Sequence, residues 1–259
     1  QALSTRSDLL GEEMAADLSA LQDQLEPFSA AEARDAIEAE FDAPMDHLFR
    51  RFDDTAIAAA SIAQVHFAET IDGQEVAVKV LRPDIEDAFE RDLDLFFWVA
   101  ELVERARPQW RRLRPVASVA TLADSVALEM DLRYEAAAAA ELAENFADDE
   151  TFDVPDVNWG LTGKRILTTA RIAGIPLDDR DAIIAAGHDP EEVLGRAAGA
   201  FFHQVFRDGF FHADLHPGNL FVEASGAIGA VDFGIMGRLD RHTRRHLGEM
   251  LLAFLNRDY

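Results

Sequence analysis

Cysteine is absent from all 259 residues. No disulfide scaffold, thiolate metal site or cysteine nucleophile is available, which fits an intracellular setting. Lysine is nearly as scarce: only Lys79 and Lys164 occur, so 22 of the 24 basic residues are arginine. No apolar run approaches the roughly 18 residues needed to span a bilayer, and no signal peptide precedes the first segment. The chain begins at Gln1 without a methionine, as expected of a fragment of something longer. Positive charge as a whole is in short supply, with 49 acidic residues against 24 basic and a formal net charge of −25. That balance argues against nucleic acid or anionic lipid binding through the bulk surface, while leaving local basic patches open. A lysine-poor acidic surface suits a salt-rich cytoplasm, where the Debye length at molar salt is about 3 Å and self-repulsion is screened. A halophilic source is the expectation.

What is present supports a core. Apolar residues make up 49% of the chain, and the length allows one large domain or two lobes. From Thr5 to Ala43 the pattern is helical, with Leu9, Leu10, Met14, Leu18, Leu21 and Leu25 at three- and four-residue steps. Pro27 ends that helix, and Ser29-Ala30-Ala31-Glu32 reads as a capping box for a second one running to about Glu40. The period then changes. Ala63–Ala68 and Glu75–Leu81, joined through Asp72-Gly73, read as a hairpin ending near a lysine. Long helices are expected over Asp84–Arg107 and Val116–Phe146, with Pro108 and Pro115 as breakers between them. Extended segments near Val154–Trp159 and Arg165–Thr169 follow, then a hinge over Ala170–Gly174. After Gly174-Ile175-Pro176 the chain reads as mostly helical to Arg207.

Chemistry concentrates near the carboxyl end. His212-Ala213-Asp214-Leu215-His216-Pro217-Gly218-Asn219 is followed thirteen residues later by Asp232-Phe233-Gly234. An Asp, an Asn five positions on, and an apolar run ending in Asp-Phe-Gly is the spacing a phosphotransferase needs. The first Asp orients or deprotonates the attacking hydroxyl, and the Asn and second Asp hold Mg²⁺ against the nucleotide phosphates. Such a site also needs a strand lysine, and Val76-Ala77-Val78-Lys79 supplies it; the alternative for Lys79 is a snorkelling surface lysine. A glutamate that holds the lysine is sought in Glu129-Met130-Asp131-Leu132-Arg133-Tyr134-Glu135, read as three carboxylates at helical spacing with Asp131 and Glu135 on one face. The stretch is equally readable as a solvated charged face. The loop before the lysine is alanine-rich, Ala56-Ile57-Ala58-Ala59-Ala60-Ser61-Ile62-Ala63, where an ordinary kinase has glycines. Alanine disfavours positive φ, so this loop cannot cradle phosphates in the usual way.

The alanine-rich loop, the Glu129-x-Asp131 pair followed by Glu135, and His212-x-Asp214-x-His216-Pro217-Gly218-Asn219 together resemble the UbiB (ADCK-type) atypical kinase family. Gln1–Leu10 also looks like the stretch continuing from that family's Lys-x-Gly-Gln motif, of which Gln1 is the last residue. The resemblance implies an α+β, two-lobed protein-kinase-like fold with extra amino-terminal helices, its carboxyl-terminal part truncated. On that reading 1–47 is a family-specific helical extension, 48–170 an N-lobe with inserted helices, and 171–259 an incomplete C-lobe. It further implies that Lys79 binds phosphates, Glu135 pairs with Lys79, Asp214 is the catalytic-loop aspartate, and Asn219 with Asp232 ligates Mg²⁺. Ala58, Ala59, Ala60, Ser61, Glu129 and Asp131 would lie beside the nucleotide. ATP or ADP with Mg²⁺ are the implied cofactors, and an isoprenoid-lipid or quinone-precursor molecule the implied further ligand. The family's setting is cytoplasmic, with contacts to the membrane inner face or to lipid-biosynthesis enzymes, and without nucleic acid.

Three other readings stand beside it. Aminoglycoside and choline kinases use a similar His-x-Asp-x-His-Pro-x-Asn loop, but the alanine loop and Gln1–Leu10 argue against them. A non-catalytic, nucleotide-gated pseudokinase scaffold needs the same Mg²⁺ ligands. A metal-dependent hydrolase built on His212, Asp214 and His216 gives no role to Lys79 or Asp232. Past Asp232-Phe233-Gly234 the chain runs through Ile235–Leu239 into an Arg- and Leu-rich helix with no Ala-Pro-Glu, so a peptide substrate has little to dock on.

Overall fold

The computed structural model of the chain describes residues 27–60, 62–106 and 108–257. The helix expected from Thr5 into the twenties, the Gln1–Leu10 segment and Ser61 lie outside them. In chain order, α1 (Ala30–Phe41) and α2 (Met45–Leu48) precede four strands, β1 (Phe49–Phe52), β2 (Ala58–Ala59), β3 (Ala63–Thr70) and β4 (Glu75–Leu81). Next come α3 (Ile85–Ala106), a 3₁₀ turn over Pro108–Leu113, α4 (Pro115–Glu129) and α5 (Leu132–Asn145). The short strands β5 (Phe152–Asp153), β6 (Ile166–Ala170) and β7 (Gly174–Pro176) lead to α6 (Arg180–Ala185) and α7 (Pro190–Phe202). A π turn at His203–Asp208 then feeds β8 (Phe210–His212), followed by β9 (Leu220–Glu223), β10 (Ile228–Ala230), β11 (Met236–Arg238) and α8 (Arg241–Asn256). No described helix is long and apolar enough to cross a membrane.

Two compact units divide these elements, one running to Leu132 and including Trp159–Thr168, the other taking Arg133–Asn158 and Thr169 onward. In the first, strands pair in the order β1-β3-β4-β6, with β2 on β3. The β3–β4 hairpin forms at the expected place, its turn closed by Gly73 at φ +87, a conformation that costs glycine little. Strand alternation sorts β4: Val76, Val78 and Val80 enter the core with Ile37, Phe49 and Ile166, while Ala77 and Lys79 take the other face. Helix α1 begins at the expected capping box, with the Ser29 N–H donating to Glu32 Oε2 at 2.9 Å and the Glu32 N–H to Ser29 Oγ at 3.2 Å.

One expected helix divides in two. Val116–Phe146 breaks at Met130-Asp131, where the Leu132 N–H donates to the Lys164 carbonyl at 2.8 Å instead of continuing the helical ladder. Pro115, expected only as a breaker, is the first residue of α4, where its missing N–H costs nothing.

The second unit has a four-stranded sheet, β5-β10-β9-β7, parallel between β10 and β5 and antiparallel elsewhere, and a separate β8–β11 ladder. Its core gathers Leu142 of α5, Phe146 just past that helix, Val193 and Ala200 of α7, the sheet residues Val222 and Ile228, and Phe233. From Pro176 to Arg207 the chain is mostly helical as expected, in α6 and α7 with a turn between them, but the last turn widens from α to π before Gly209 at φ +70.

Candidate active site

The loop after β8 is held by its own polar groups. The Asp214 N–H donates to His212 Nδ1 at 3.2 Å, so the imidazole proton sits on Nε2, facing the Val231 carbonyl at 3.4 Å. His212 is 1% exposed, and its ring lies 5.7 Å from that of Phe233. Downstream, the His216 N–H donates to the Asp214 carbonyl at 2.9 Å, and the Asn219 N–H to the His216 carbonyl at 3.0 Å. The Gly218 N–H donates to His216 Nδ1 at 3.1 Å. Asn219 is buried, and its Nδ2 donates to the Asp214 carbonyl at 3.1 Å. That bond fixes the amide orientation and leaves Oδ1 as the acceptor end. The Asn219 carbonyl in turn accepts from the Val231 N–H at 2.9 Å. Val231, the residue before Asp232, is therefore held at its N–H by Asn219 and at its carbonyl by His212.

Asp232 itself stands at φ +62, left-handed backbone that costs a non-glycine residue on the order of 1 kcal/mol. The Val231 clamp and the buried Phe233 ring on either side hold it there. A Cβ placed on Gly234 would lie 3.4 Å from Asp232 Oδ1 and 3.8 Å from Glu135 Oε2, so both carboxylates border the small gap that glycine leaves. Glu135 is buried in α5. Six residues on, Glu141 of the same helix takes the Arg238 guanidinium in a two-pronged ion pair, Arg238 Nη1 lying 2.8 Å from Glu141 Oε1. Arg238 also covers the Phe210 ring at 4.3 Å. The second unit thus brings together Glu135, Asp214, Asn219 and Asp232.

In the first unit, Ala58 pairs with Val65 and Val65 with Lys79, so Ala58 and Lys79 stand in one cross-strand row on one face of the sheet. Ala59 pairs with Gln64 and takes the opposite face. The Ala60 N–H donates to the Ala63 carbonyl at 2.8 Å, closing the loop on itself. Glu129 is the exposed last residue of α4, and Asp131 lies in the break before α5. The expected single helical face for Asp131 and Glu135 does not exist, because the Leu132–Lys164 hydrogen bond interrupts the helix between them.

Three features escaped the sequence reading. Gln204, fully buried in the π turn, accepts the His212 N–H on Oε1 at 2.9 Å and has a buried Nε2 without a partner among the described residues. The only sequence signal was a glutamine inside an apolar run, Phe201–Phe206. The Arg238–Glu141 pair is long-range and leaves no local pattern. A third is a carboxyl pair on either side of β10, Asp153 of β5 and Glu223 of β9: burial first, then the Asp153 carboxyl, raises Glu223 to about 7.

The donor set Asn219 and Asp232 is all oxygen, as Mg²⁺ prefers, and two protein ligands suffice for an ion that keeps waters and phosphate oxygens. Among the described residues no three His, Asp or Glu side chains gather to hold a metal. His212 has both ring nitrogens engaged and His216 one, which leaves the hydrolase reading without its ligands.

Residues 20–259 match the model of the ABC1 atypical kinase-like domain. The protein named "Probable protein kinase UbiB" of Marinobacter nauticus is 43% identical over 263 residues, an alignment that takes in all of this chain and 48% of that protein. Its namesake of Aeromonas hydrophila is 44% identical over 265 residues, again across all of this chain and 48% of the relative. Among solved structures, the Rv3197–erythromycin complex from Mycobacterium tuberculosis superposes with a TM-score of 0.72 at 27% identity, covering 97% of this chain and 62% of that one. The chain spans about half the length of the curated relatives it matches.

Proposed function

Because the chain belongs to the ABC1 atypical kinase-like family, the group of the UbiB proteins, we propose that it is the nucleotide-binding part of an atypical phosphotransferase or ATPase. Its acceptor would be water or a small lipid or quinone-precursor hydroxyl in isoprenoid metabolism. The observation that carries this reading is the clamp around Val231, which sets Asp232 in left-handed backbone beside an Asn219 whose amide is already oriented by the Asp214 carbonyl.

In the reaction, the Asp214 carboxylate takes the proton of the attacking oxygen as that oxygen forms its bond to the γ-phosphorus and the bridging P–O bond to ADP breaks. Asn219 and Asp232 would hold Mg²⁺, which when bound supplies positive charge to the phosphate oxygens. Lys79 would neutralise the α/β-phosphates. The Ala58–Ala60 hairpin donates Ala60's N–H to Ala63 and so keeps that donor from the nucleotide.

Calorimetric titration of Mg-ATP and Mg-ADP into the chain in molar KCl tests the proposal, with Asp232→Asn alongside. Binding that disappears in the variant is the expected result. Equal binding by both would refute the assignment of Asp232, and binding without any ATP turnover would favour the scaffold reading.

A further inference from the structure

Helix α8 opens with Arg241-His242-Thr243-Arg244-Arg245-His246, two histidines four positions apart in a chain that has only eight. That spacing is about one turn, so both rings stand on one face of the helix. They meet there: His242 Nε2 and His246 Nε2 are 3.0 Å apart, with ring centroids at 4.2 Å and planes at 74°. Both residues are exposed, His246 with 61% of its side chain accessible. Folding preferences do not ask for this pair. Histidine is a middling helix former, and a hydrogen bond between two exposed imidazoles replaces bonds that water supplies as well.

The surroundings suit a pair of metal ligands. Glu249, further along the same stripe, divides its oxygens: Oε1 accepts from Arg245 Nε at 2.8 Å, while Oε2 lies 3.6 Å from His246 Nδ1. A carboxylate behind Nδ1 keeps the proton on that nitrogen and leaves the Nε2 lone pair bare. Asp240, the N-cap, accepts the Thr243 N–H on Oδ1 at 2.7 Å and lies near enough to His242 to interact with its charge. Of the neighbouring arginines, Arg245 is turned to Glu249, and Arg244 Nη1 donates to the Arg207 carbonyl at 2.6 Å. At a metal–nitrogen length of about 2.05 Å, two nitrogens 3.0 Å apart subtend about 94° at a shared ion. That is close to the angle between neighbouring ligands of a square-planar or octahedral ion. A tetrahedral ion needs the nitrogens about 3.3 Å apart, which a small ring rotation supplies. By contrast, His66 and His212 are buried with both ring nitrogens engaged.

We infer that His242 and His246 chelate a divalent transition ion through their Nε2 atoms, Cu²⁺ ahead of Ni²⁺ and Zn²⁺. Water keeps the remaining coordination positions, so the site exchanges its ion instead of locking it into the fold. The chelate spans the first turn of α8 and stabilises it by mass action. This ion is separate from the Mg²⁺ proposed at Asn219 and Asp232, because imidazole nitrogen suits the transition metals and carboxylate and amide oxygen suit Mg²⁺.

Titration of CuSO₄, NiCl₂, ZnCl₂ and MgCl₂ into the EDTA-stripped and dialysed chain tests this, in molar KCl at neutral pH in a non-coordinating buffer. One Cu²⁺ site per chain is expected, its electron paramagnetic resonance spectrum split by two imidazole nitrogens, and Zn²⁺ should raise the melting temperature. His242→Gln or His246→Gln, in variants whose dichroism shows a folded chain, should each weaken Cu²⁺ binding about tenfold or more and cancel the Zn²⁺ shift. Glu249→Gln should weaken it by about tenfold while leaving both nitrogens bound. His47→Gln, at an exposed histidine of the other unit, and Asp232→Asn should leave the affinity unchanged. Cu²⁺ binding indifferent to His242 and His246, a spectrum without two imidazole nitrogens, or Mg²⁺ competing equally for the site would each overturn the assignment.

Discussion

Glu223 and Asp153 face each other over Gly229, the β10 residue paired with Asp153, and a Cβ on Gly229 would lie 3.3 Å from Glu223 Oε1. Ile172 covers the same glycine, with its Cγ2 2.9 Å from that Cβ position, and burial first, then the Asp153 carboxyl, raises Glu223 from 4.5 to about 7. Between those values the unfolded chain releases a proton that the fold keeps. The stabilisation is therefore fully present below about pH 4.5 and is lost as pH rises through about 7. At about 1.36 kcal/mol per unit the shift sets a ceiling near 3 kcal/mol. Partial solvent access to the carboxyl reduces that to roughly 1–2 kcal/mol. Since burial is the leading cause, the effect should persist in molar salt, where a purely coulombic effect would fade. The assay is urea unfolding of the chain and of Glu223→Gln at pH 5, 6, 7 and 8 in molar KCl. The wild-type chain should lose about 1–2 kcal/mol relative to the variant across that range. Parallel curves would refute the shared-proton account.

Replacing Gln204 by Leu removes the acceptor of the His212 N–H. Hydrogen exchange at that amide should quicken, with about 1–3 kcal/mol of stability lost and partly returned by deleting the unpartnered Nε2; unchanged protection would exclude Gln204 as a positioning residue. The Arg238–Glu141 pair is partly solvent-exposed, and a double-mutant cycle should give a coupling of about 0.5–1 kcal/mol, so a value near zero would show that it does not fix α5 to β11. His66 is held below its ordinary value, first by burial, with Gln64 donating to its Nε2 at 2.8 Å. Its contribution is present above about pH 6.5 and lost as pH falls further, and His66→Gln should flatten that acid limb of the unfolding curve. Dialysis from molar KCl into dilute buffer should unfold the chain if its −25 charge needs screening; an unchanged dichroism spectrum would count against salt adaptation.

Legibility in the sequence followed the range of the interactions. The α1 capping box and the β3–β4 hairpin were readable because Ser29, Glu32, Asp72 and Gly73 act within a few residues. The spacing of Asp214, Asn219 and Asp232 was readable because one loop and two short strands carry it. The break at Met130-Asp131 was not, since its cause is the Lys164 carbonyl more than thirty positions away. Nor were β5, β7 and β10, whose two or three residues are too few to show a period. The π turn and Gln204 were hidden because helical spacing looks the same until a backbone hydrogen bond skips a residue. What holds Asp232 in place, the bonds of Asn219 and His212 to Val231, is likewise invisible until the strands pair.

The scarcity of lysine gives this protein a built-in chemical reporter. Lys164 sits on the surface with its Nζ 3.5 Å from Glu86, whereas Lys79 lies half-buried on the face of β4 opposite the valines. An acyl-phosphate derivative of ATP or ADP, held as proposed above, would transfer its acyl group to whichever amine stands beside its phosphates. In most proteins such a label spreads over many lysines, but here a peptide map has two side chains to tell apart, and displacement by free nucleotide separates specific from chance modification. Arginine everywhere else keeps the background silent.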